Sequence, residues 1–107
     1  MQPTERYAFG DFVLERSQQR VQNRAGETLS LTPRLFAALL FFVERPGELI
    51  DKETLFRALW PDLVVEENNL SQVISGLRRA LGDETQASRY IQTVPRRGFR
   101  FVAVVTS

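Results

Sequence analysis

The side chains best suited to recognition chemistry lie in the last third of the chain, in the segment from Asn68 to Leu81. With about 3.6 residues per helical turn, its large apolar residues fall on one stripe, and amide and hydroxyl groups with an arginine fall on the opposite face. Amide side chains hydrogen-bond well to base edges, and arginine binds phosphate or guanine. This pattern predicts a helix that contacts a polyanion through its solvent face. The candidate residues are Asn68, Asn69, Gln72, Ser75, Arg78 and Arg79.

Simpler explanations account for the same residues. The polar face is also that of an ordinary solvated helix, and Asn68 would cap the helix if it began later than Glu66. Arg78 and Arg79 would complement the helix dipole at the C-terminal end. Gly76 costs the helix about 1 kcal/mol relative to alanine. We expect this cost to be offset where the helix lies close against another surface.

A second set of basic residues follows in a predicted β-hairpin from Tyr90 to Val105. The hairpin turns at Pro95-Arg-Arg-Gly98, and aromatic residues alternate with other side chains in its second strand, as in a strand with two different faces. An arginine at a hairpin tip can enter the minor groove of DNA, where the potential is most negative. The candidates are Arg96 and Arg97 at the tip, with Thr93 and Arg100 as supporting phosphate contacts.

The charges are segregated along the chain, although the net charge is only +1. Residues 68–100 contain six basic residues and two acids, a local charge of +4, whereas the rest of the chain contains eight basic residues and eleven acids. Thirteen of the fourteen basic residues are arginine, whose planar fork suits phosphate and guanine. A basic end on a near-neutral domain is typical of a polyanion-binding protein. Ordinary surface charge explains the composition equally well.

Composition argues against several classes of function. The chain has no cysteine and no histidine, which excludes disulfides, the usual zinc sites and the commonest general base. Its carboxylates are scattered, and it has no glycine-rich phosphate loop or nucleophile elbow. We therefore expect no enzyme, no metal and no cofactor.

The length of 107 residues suits one domain, and no stretch reaches the run of about 20 apolar residues that spans a bilayer. The first residues also lack the apolar core of a signal peptide. We therefore expect a single soluble domain over residues 1–107, in the cytoplasm and associated with the nucleoid. A membrane anchor in a segment after Ser107 is compatible with this expectation.

The first thirty residues predict a small antiparallel sheet. Short runs of alternating apolar and polar residues are separated by the turn pair Gly10-Asp11 and by a second turn at residues 24–27. The predicted strands lie at residues 7–9, 12–15, 20–23 and 28–31.

Three helices are expected after these strands. Thr32 is a good N-cap and Pro33 a good first residue for a core helix that Pro46-Gly47 stops. A short extended piece at residues 48–50 leads to Asp51, which caps a second helix. The predicted helices span about residues 33–45, 52–60 and 66–81, and the hairpin spans residues 90–105.

Four short motifs accompany this order of elements. They are Leu31-Thr-Pro-Arg-Leu-Phe36, Leu77-Arg-Arg-Ala-Leu81, Ile91-Gln-Thr-Val94 and Gly98-Phe-Arg-Phe101. With them the chain resembles the OmpR/PhoB family of winged-helix effector domains, from about Tyr7 to Val104, and the motifs together are highly specific. The resemblance implies an α+β winged helix-turn-helix with an N-terminal four-stranded antiparallel sheet, three helices and a C-terminal β-hairpin wing.

The resemblance also implies sequence-specific binding of double-stranded DNA by a bacterial transcription regulator. The third helix would enter the major groove, and the wing arginines would contact the minor groove or the backbone. Two alternatives stay open: a winged helix that binds a protein partner, and non-specific nucleic-acid binding, including RNA. Because the apolar residues all have core positions, we expect a monomer in isolation that pairs on DNA.

Two features favour one branch of the family, the ToxR/CadC-type regulators. The wing tip reads Pro95-Arg-Arg-Gly98, whereas the tip of typical response regulators is closer to Arg-Gly-x-Gly-Tyr. Met1 lies just before the first strand, as expected if the DNA-binding domain is N-terminal and a sensor, transmembrane or repeat region follows. An artificial start would place Met1 there equally well.

Three further sets of residues have two interpretations each. Thr32 and Arg34 lie at a helix N-terminus, where a phosphate can bind, although simple capping by Thr32 is at least as good an explanation. Trp60 is expected in the core rather than as a stacking platform. The loop between the second and third helices is a contact surface for RNA polymerase in the family, or else it covers the core. Its residues are Leu63, Val64 and Val65.

Overall fold

Three helices and seven short strands make up the computed structural model, which describes residues 4–107. In chain order they are β1 (Arg6–Phe9), β2 (Phe12–Glu15), β3 (Arg20–Gln22), α1 (Pro33–Val43), β4 (Leu49–Asp51), α2 (Lys52–Leu59), α3 (Glu67–Leu81), β5 (Ile91–Val94), β6 (Gly98–Phe101) and β7 (Val105–Thr106). Met1, with the expectation attached to it, lies outside the described residues.

The N-terminal strands belong to a four-stranded antiparallel sheet with the order β3-β2-β1-β7. Alternate side chains of a strand point to opposite faces, and here one set points into the core. Phe9, Leu14 and Val21 are almost completely buried. The sheet and its first three strands confirm the prediction.

The predicted fourth strand, at residues 28–31, is wrong. Thr28 makes only an isolated bridge with Gln22, and the chain then leaves the sheet to deliver Thr32 to the start of α1. The fourth strand is β7, which comes from the other end of the chain and pairs with β1. Local alternation does not reveal this pairing, because the partners lie near opposite ends of the sequence.

The second sheet has the order β4-β6-β5 and contains the wing. β5 and β6 are the predicted hairpin, and β4, expected only as a short extended piece, pairs along β6. Gly98 is required where these strands meet, because its φ is +149° and a Cβ there would lie 2.1 Å from the carbonyl oxygen of Ile50. The hairpin ends at Phe101 rather than Val105, since the chain goes on to place β7 beside β1.

α1 and α2 begin at the predicted caps. The Thr32 hydroxyl accepts a hydrogen bond from the Leu35 amide at 3.2 Å, and the Asp51 carboxylate accepts one from the Thr54 amide at 2.7 Å. These bonds satisfy amides that have no partner within the first helical turn.

Both helices end slightly before their predicted ends, at Val43 and Leu59. Each predicted end was the residue that precedes a proline, Pro46 or Pro61. A residue before proline is disfavoured in the helical conformation, so the helices stop earlier.

α3 lies across the core with one face completely buried. It begins at Glu67, one residue later than predicted, with Glu66 at the N-cap position, so Asn68 is not the cap. The predicted apolar stripe is confirmed, because its four members Leu70, Ile74, Leu77 and Leu81 are all buried.

Gly76 explains how closely α3 packs on α1. A Cβ at this position would lie 3.2 Å from a methyl group of Leu35, tighter than most contacts between carbon atoms. The surface that justifies a glycine within this helix is therefore the neighbouring helix α1.

Candidate nucleic-acid interface

The exposed face of α3 is continuous and polar. Asn68, Asn69, Gln72, Ser75 and Arg79 are all exposed, as predicted from their spacing. A shallow groove along this face is lined by Asn68, Ser71, Gln72, Ser75, Gly76 and Arg79. Four of the six residues that the sequence assigned to this helix thus line the groove, whereas the exposed Asn69 side chain donates a hydrogen bond to the Glu66 carbonyl at 3.3 Å.

The wing tip carries two exposed arginines. The tip closes with a hydrogen bond from the Arg97 amide to the Val94 carbonyl at 3.0 Å, and Arg96 has a φ of +65°. A left-handed backbone at a residue other than glycine is uncommon and is found mostly in tight turns. The turn therefore presents Arg96 and Arg97 as neighbours at the end of the hairpin, as predicted.

A cleft of about 260 Å³ separates α3 from the wing. We call it the helix–wing cleft. Its floor is apolar, and hydroxyl and charged groups surround it. The polar residues that line it are Lys52, Glu67, Ser71, Ser75, Arg78, Thr93 and Arg96.

Arg78 connects the two walls of this cleft. Its guanidinium donates to the Ile91 carbonyl at 2.9 Å and to the Thr93 hydroxyl at 2.7 Å. Burial lowers the pKa of Arg78 and the charge of Asp83 opposes that shift, but an arginine remains protonated at neutral pH. Arg78 and Thr93, both predicted as phosphate contacts, are therefore bonded to each other and hold the wing against α3.

Asp83 also joins α3 to the wing, and sequence reasoning missed it. Its carboxylate accepts hydrogen bonds from three successive amides, those of Arg89, Tyr90 and Ile91, at 2.7, 3.3 and 2.8 Å. The sequence signal for Asp83 was its position directly after Gly82, the left-handed residue that ends α3, where the chain turns towards the next strand.

Arg100 lies away from the cleft. It alternates along β6 with Phe99, which lines the cleft, so the two side chains leave opposite faces of the sheet. Arg100 is half-buried, and its Nε is buried without a hydrogen-bond partner within residues 4–107. The structure does not bring this residue together with the face of α3.

Thr32 and Arg34 form a separate polar site at the start of α1. The Thr32 hydroxyl is used in capping, and the Arg34 guanidinium lies 4.9 Å from the centre of the Trp60 ring. Trp60 is 5% exposed, which confirms that it belongs to the core. The Arg34 side chain therefore lies beside Trp60 and remains exposed.

The three residues predicted as a contact surface in the loop between α2 and α3 differ in their exposure. Leu63 is 63% exposed and Val64 is completely exposed, whereas Val65 is half-buried and packs against the core. Of these three residues, only Val65 covers the core. The other two present apolar side chains to solvent.

Two more residues of the cleft escaped the sequence reasoning. Lys52, the first residue of α2, forms an ion pair with Glu67, the first residue of α3. The two lie fifteen residues apart along the chain, so no helical spacing connects them. A lone lysine in a chain of arginines directly after a helix cap was the only available signal.

The described part of the chain contains neither a cluster of metal ligands nor a membrane-spanning helix. No group of three or more potential metal ligands lies together in residues 4–107. No helix in that range combines the length and the hydrophobicity of a membrane span.

Comparison with known proteins gives a family match over most of the chain. Residues 26–101 match the family Trans_reg_C, described as "Transcriptional regulatory protein, C terminal". The transcriptional regulator HilA of Salmonella typhimurium is 32% identical over 90% of this chain, and the transcriptional activator CadC of Escherichia coli is 37% identical over 78% of it. The chain spans 17% and 16% of the lengths of these two relatives.

Solved structures share the fold. The DNA-binding domain of CadC from E. coli has a TM-score of 0.82 and 28% sequence identity, with 98% of each chain covered. The response regulator DrrB of Thermotoga maritima, an OmpR/PhoB homologue, has a TM-score of 0.84 and 29% identity, covering 92% of this chain and 45% of that one. These matches confirm the predicted α+β winged-helix fold.

Proposed function

The chain belongs to the family of transcriptional regulatory protein C-terminal domains, and on that premise we propose that it binds double-stranded DNA sequence-specifically for a bacterial transcription regulator. The identities with CadC and HilA also confirm the predicted resemblance to CadC-type regulators. One observation carries the proposal: α3 exposes an unbroken polar face next to a wing whose tip carries two arginines.

α3 enters the major groove in this proposal. That groove is about 12 Å wide and admits one helix, and its base pairs present distinct patterns of hydrogen-bond donors and acceptors. Gln72 lies at the centre of the exposed face, with Asn68 and Asn69 towards the N-terminus and Arg79 one turn beyond Ser75. The buried stripe opposite them fixes the direction in which this face points.

The wing and the start of α1 contact the backbone. Arg96 and Arg97 reach the minor groove or its phosphates from the hairpin tip. Thr93 and Arg78 act mainly by positioning the wing, since their hydrogen bonds are made to each other. Thr32, Arg34 and Arg100 are proposed as secondary phosphate contacts.

RNA polymerase is the second partner proposed for the domain. The exposure of Leu63 and Val64 in the α2–α3 loop supports it, because both are large apolar side chains at a distance from the core. Val65 anchors the loop from beneath. Val64→Ser should leave DNA affinity unchanged and reduce transcription in vitro from a promoter that the whole protein activates.

The proposal places the domain in the cytoplasm, where it meets DNA, and pairs two monomers on one DNA site. It requires binding groups only, with no catalytic residue.

Selection from a library of random duplexes tests the proposed function. At physiological salt the domain should enrich a defined set of duplex sequences and should bind single strands and RNA more weakly. Equal binding to all duplexes would favour the non-specific alternative. No binding to any nucleic acid would favour a winged helix that binds a protein.

A further inference from the structure

The helix–wing cleft contains one acid among several cations. Lys52, Arg78 and Arg96 line it, and Glu67 is the one carboxylate that does so within residues 4–107. An acid is unexpected in a cleft that faces a polyanion, because a carboxylate and a phosphate repel each other.

The three cationic side chains differ in whether they already have a hydrogen-bond or ion-pair partner. Arg78 is hydrogen-bonded to the wing at Ile91 and Thr93, and Lys52 is paired with Glu67. Within residues 4–107, the side chain of Arg96 has no hydrogen bond or ion pair. The positive charge that the cleft offers to a phosphate therefore depends on whether Lys52 stays with Glu67.

The pair contributes little to holding the fold. Its side chains are 43% and 63% exposed, and exposed ion pairs stabilise a protein by only about 0.2 to 1 kcal/mol. Leu70, three residues further along the same helix, is buried, so apolar packing also holds the start of α3. A carboxylate that is dispensable for stability and opposes the ligand suggests a role in binding.

We propose that Glu67 competes with DNA phosphate for Lys52 and thereby limits the affinity of the domain for any DNA backbone. In the free domain the carboxylate holds the lysine ammonium. When a phosphate enters the helix–wing cleft, Lys52 transfers to it and Glu67 is left facing the solvent at the edge of the cleft. This inference rests on the proposed function.

The test compares Glu67→Gln with Glu66→Gln in the 107-residue chain. Both changes remove one negative charge, and Glu66 is the neighbouring residue but does not line the cleft. Fluorescence anisotropy with a labelled random-sequence duplex at low salt gives the dissociation constant. Glu67→Gln should tighten binding by about threefold to tenfold, and Glu66→Gln by less than about twofold.

A double-mutant cycle identifies Lys52 as the residue released. Lys52→Gln should weaken binding by a larger factor in the Glu67→Gln background than in the wild type, because the lysine is then already free. Circular dichroism melting should show that all variants are folded.

Several results would overturn the inference. Equal tightening by Glu67→Gln and Glu66→Gln would reduce the effect to overall charge, and weaker binding by Glu67→Gln would mean that Glu67 positions Lys52 for DNA. Duplex binding that is unchanged by Glu67→Gln would refute this inference alone. A wild-type domain that binds no duplex at all would refute the proposed function and this inference together.

Discussion

At the scale of single residues, side chains close together on α3 differ in whether they are already hydrogen-bonded within the domain. Within residues 4–107, the side chains of Gln72 and Arg79 make no hydrogen bond, so they are free for a ligand. Arg78, one position before Arg79, is bonded to the wing. In the proposed function, base reading and wing positioning therefore fall to different residues of one helix.

Gln72→Ala tests base reading. The change removes an amide from the centre of the exposed face, so it should cost about 1 to 3 kcal/mol on the preferred duplex and much less on random duplex. Gln18→Ala, at an exposed position in the turn between β2 and β3, is the control and should change neither affinity. Competition binding with both duplexes measures this. An unaltered site preference would show that α3 does not read bases through this face.

Arg97→Ala tests anchoring by the wing tip. It should weaken preferred and random duplexes by similar factors and make the slope of log affinity against log salt shallower by about one unit, because one phosphate contact is lost. Arg6→Ala removes the same charge from an exposed side chain at the start of β1 and should leave the slope unchanged. If the two variants behave alike, the wing tip lies outside the contact surface.

At the scale of elements, two polar side chains connect α3 to the wing through hydrogen bonds. Arg78 bonds to Ile91 and Thr93 of β5, and Asp83 accepts hydrogen bonds from three successive amides that lead into this strand. These directional bonds connect α3 to the wing in addition to the apolar packing of the core.

Arg78→Ala should therefore destabilise the domain. Loss of bonds from a charged donor to Ile91 and Thr93 should lower the free energy of unfolding by about 1 to 3 kcal/mol. Arg79→Ala, one residue away and exposed, should change it by less than about 0.5 kcal/mol. Urea denaturation of both variants measures the difference. Similar stabilities would mean that apolar packing alone holds the wing.

At the scale of the whole molecule, the polar face, the wing tip and the cleft lie towards one side of a shared core. All three helices and both sheets contribute to that core, where Phe101 makes aromatic contacts with both Phe9 and Phe42. Arg79, Arg96 and Arg97 are exposed there, whereas Arg78 is bonded to the wing and Arg100 lies away from the cleft.

Salt dependence measures how many of these charges meet phosphate. Each phosphate neutralised contributes a slope of about −0.9, and with part of the six basic residues engaged we expect a total of about −3 to −5 for one domain. Affinities at several salt concentrations give the slope. A slope near zero would contradict DNA binding and favour a protein partner.

The isolated domain should be a monomer. Among the described residues, the large exposed apolar side chains are Leu63, Val64, Val102 and Val104, and the first two form a loop rather than a broad face. Sedimentation at micromolar concentration should show one species of 12.3 kDa. A stable dimer would reveal an interface, for which the open edge of β7 is the first place to look.

Local sequence patterns already determined much of the architecture. The spacing of Leu70, Ile74, Leu77 and Leu81 gave α3 its buried face, and the caps Thr32 and Asp51 placed the starts of two helices. These features depend on periodicity and on hydrogen bonds over a few residues, which a sequence shows directly. The same patterns predicted the exposed polar face of α3 and the two arginines at the wing tip.

Only the tertiary structure decided the contacts between distant segments. It placed β7 rather than residues 28–31 beside the N-terminal strands, and it added β4 to the wing. It also bonded Arg78 to Thr93 and paired Lys52 with Glu67. Such partners are chosen by how whole elements pack, and an arginine has the same appearance in a sequence whether it will meet a phosphate or a carbonyl group of its own chain.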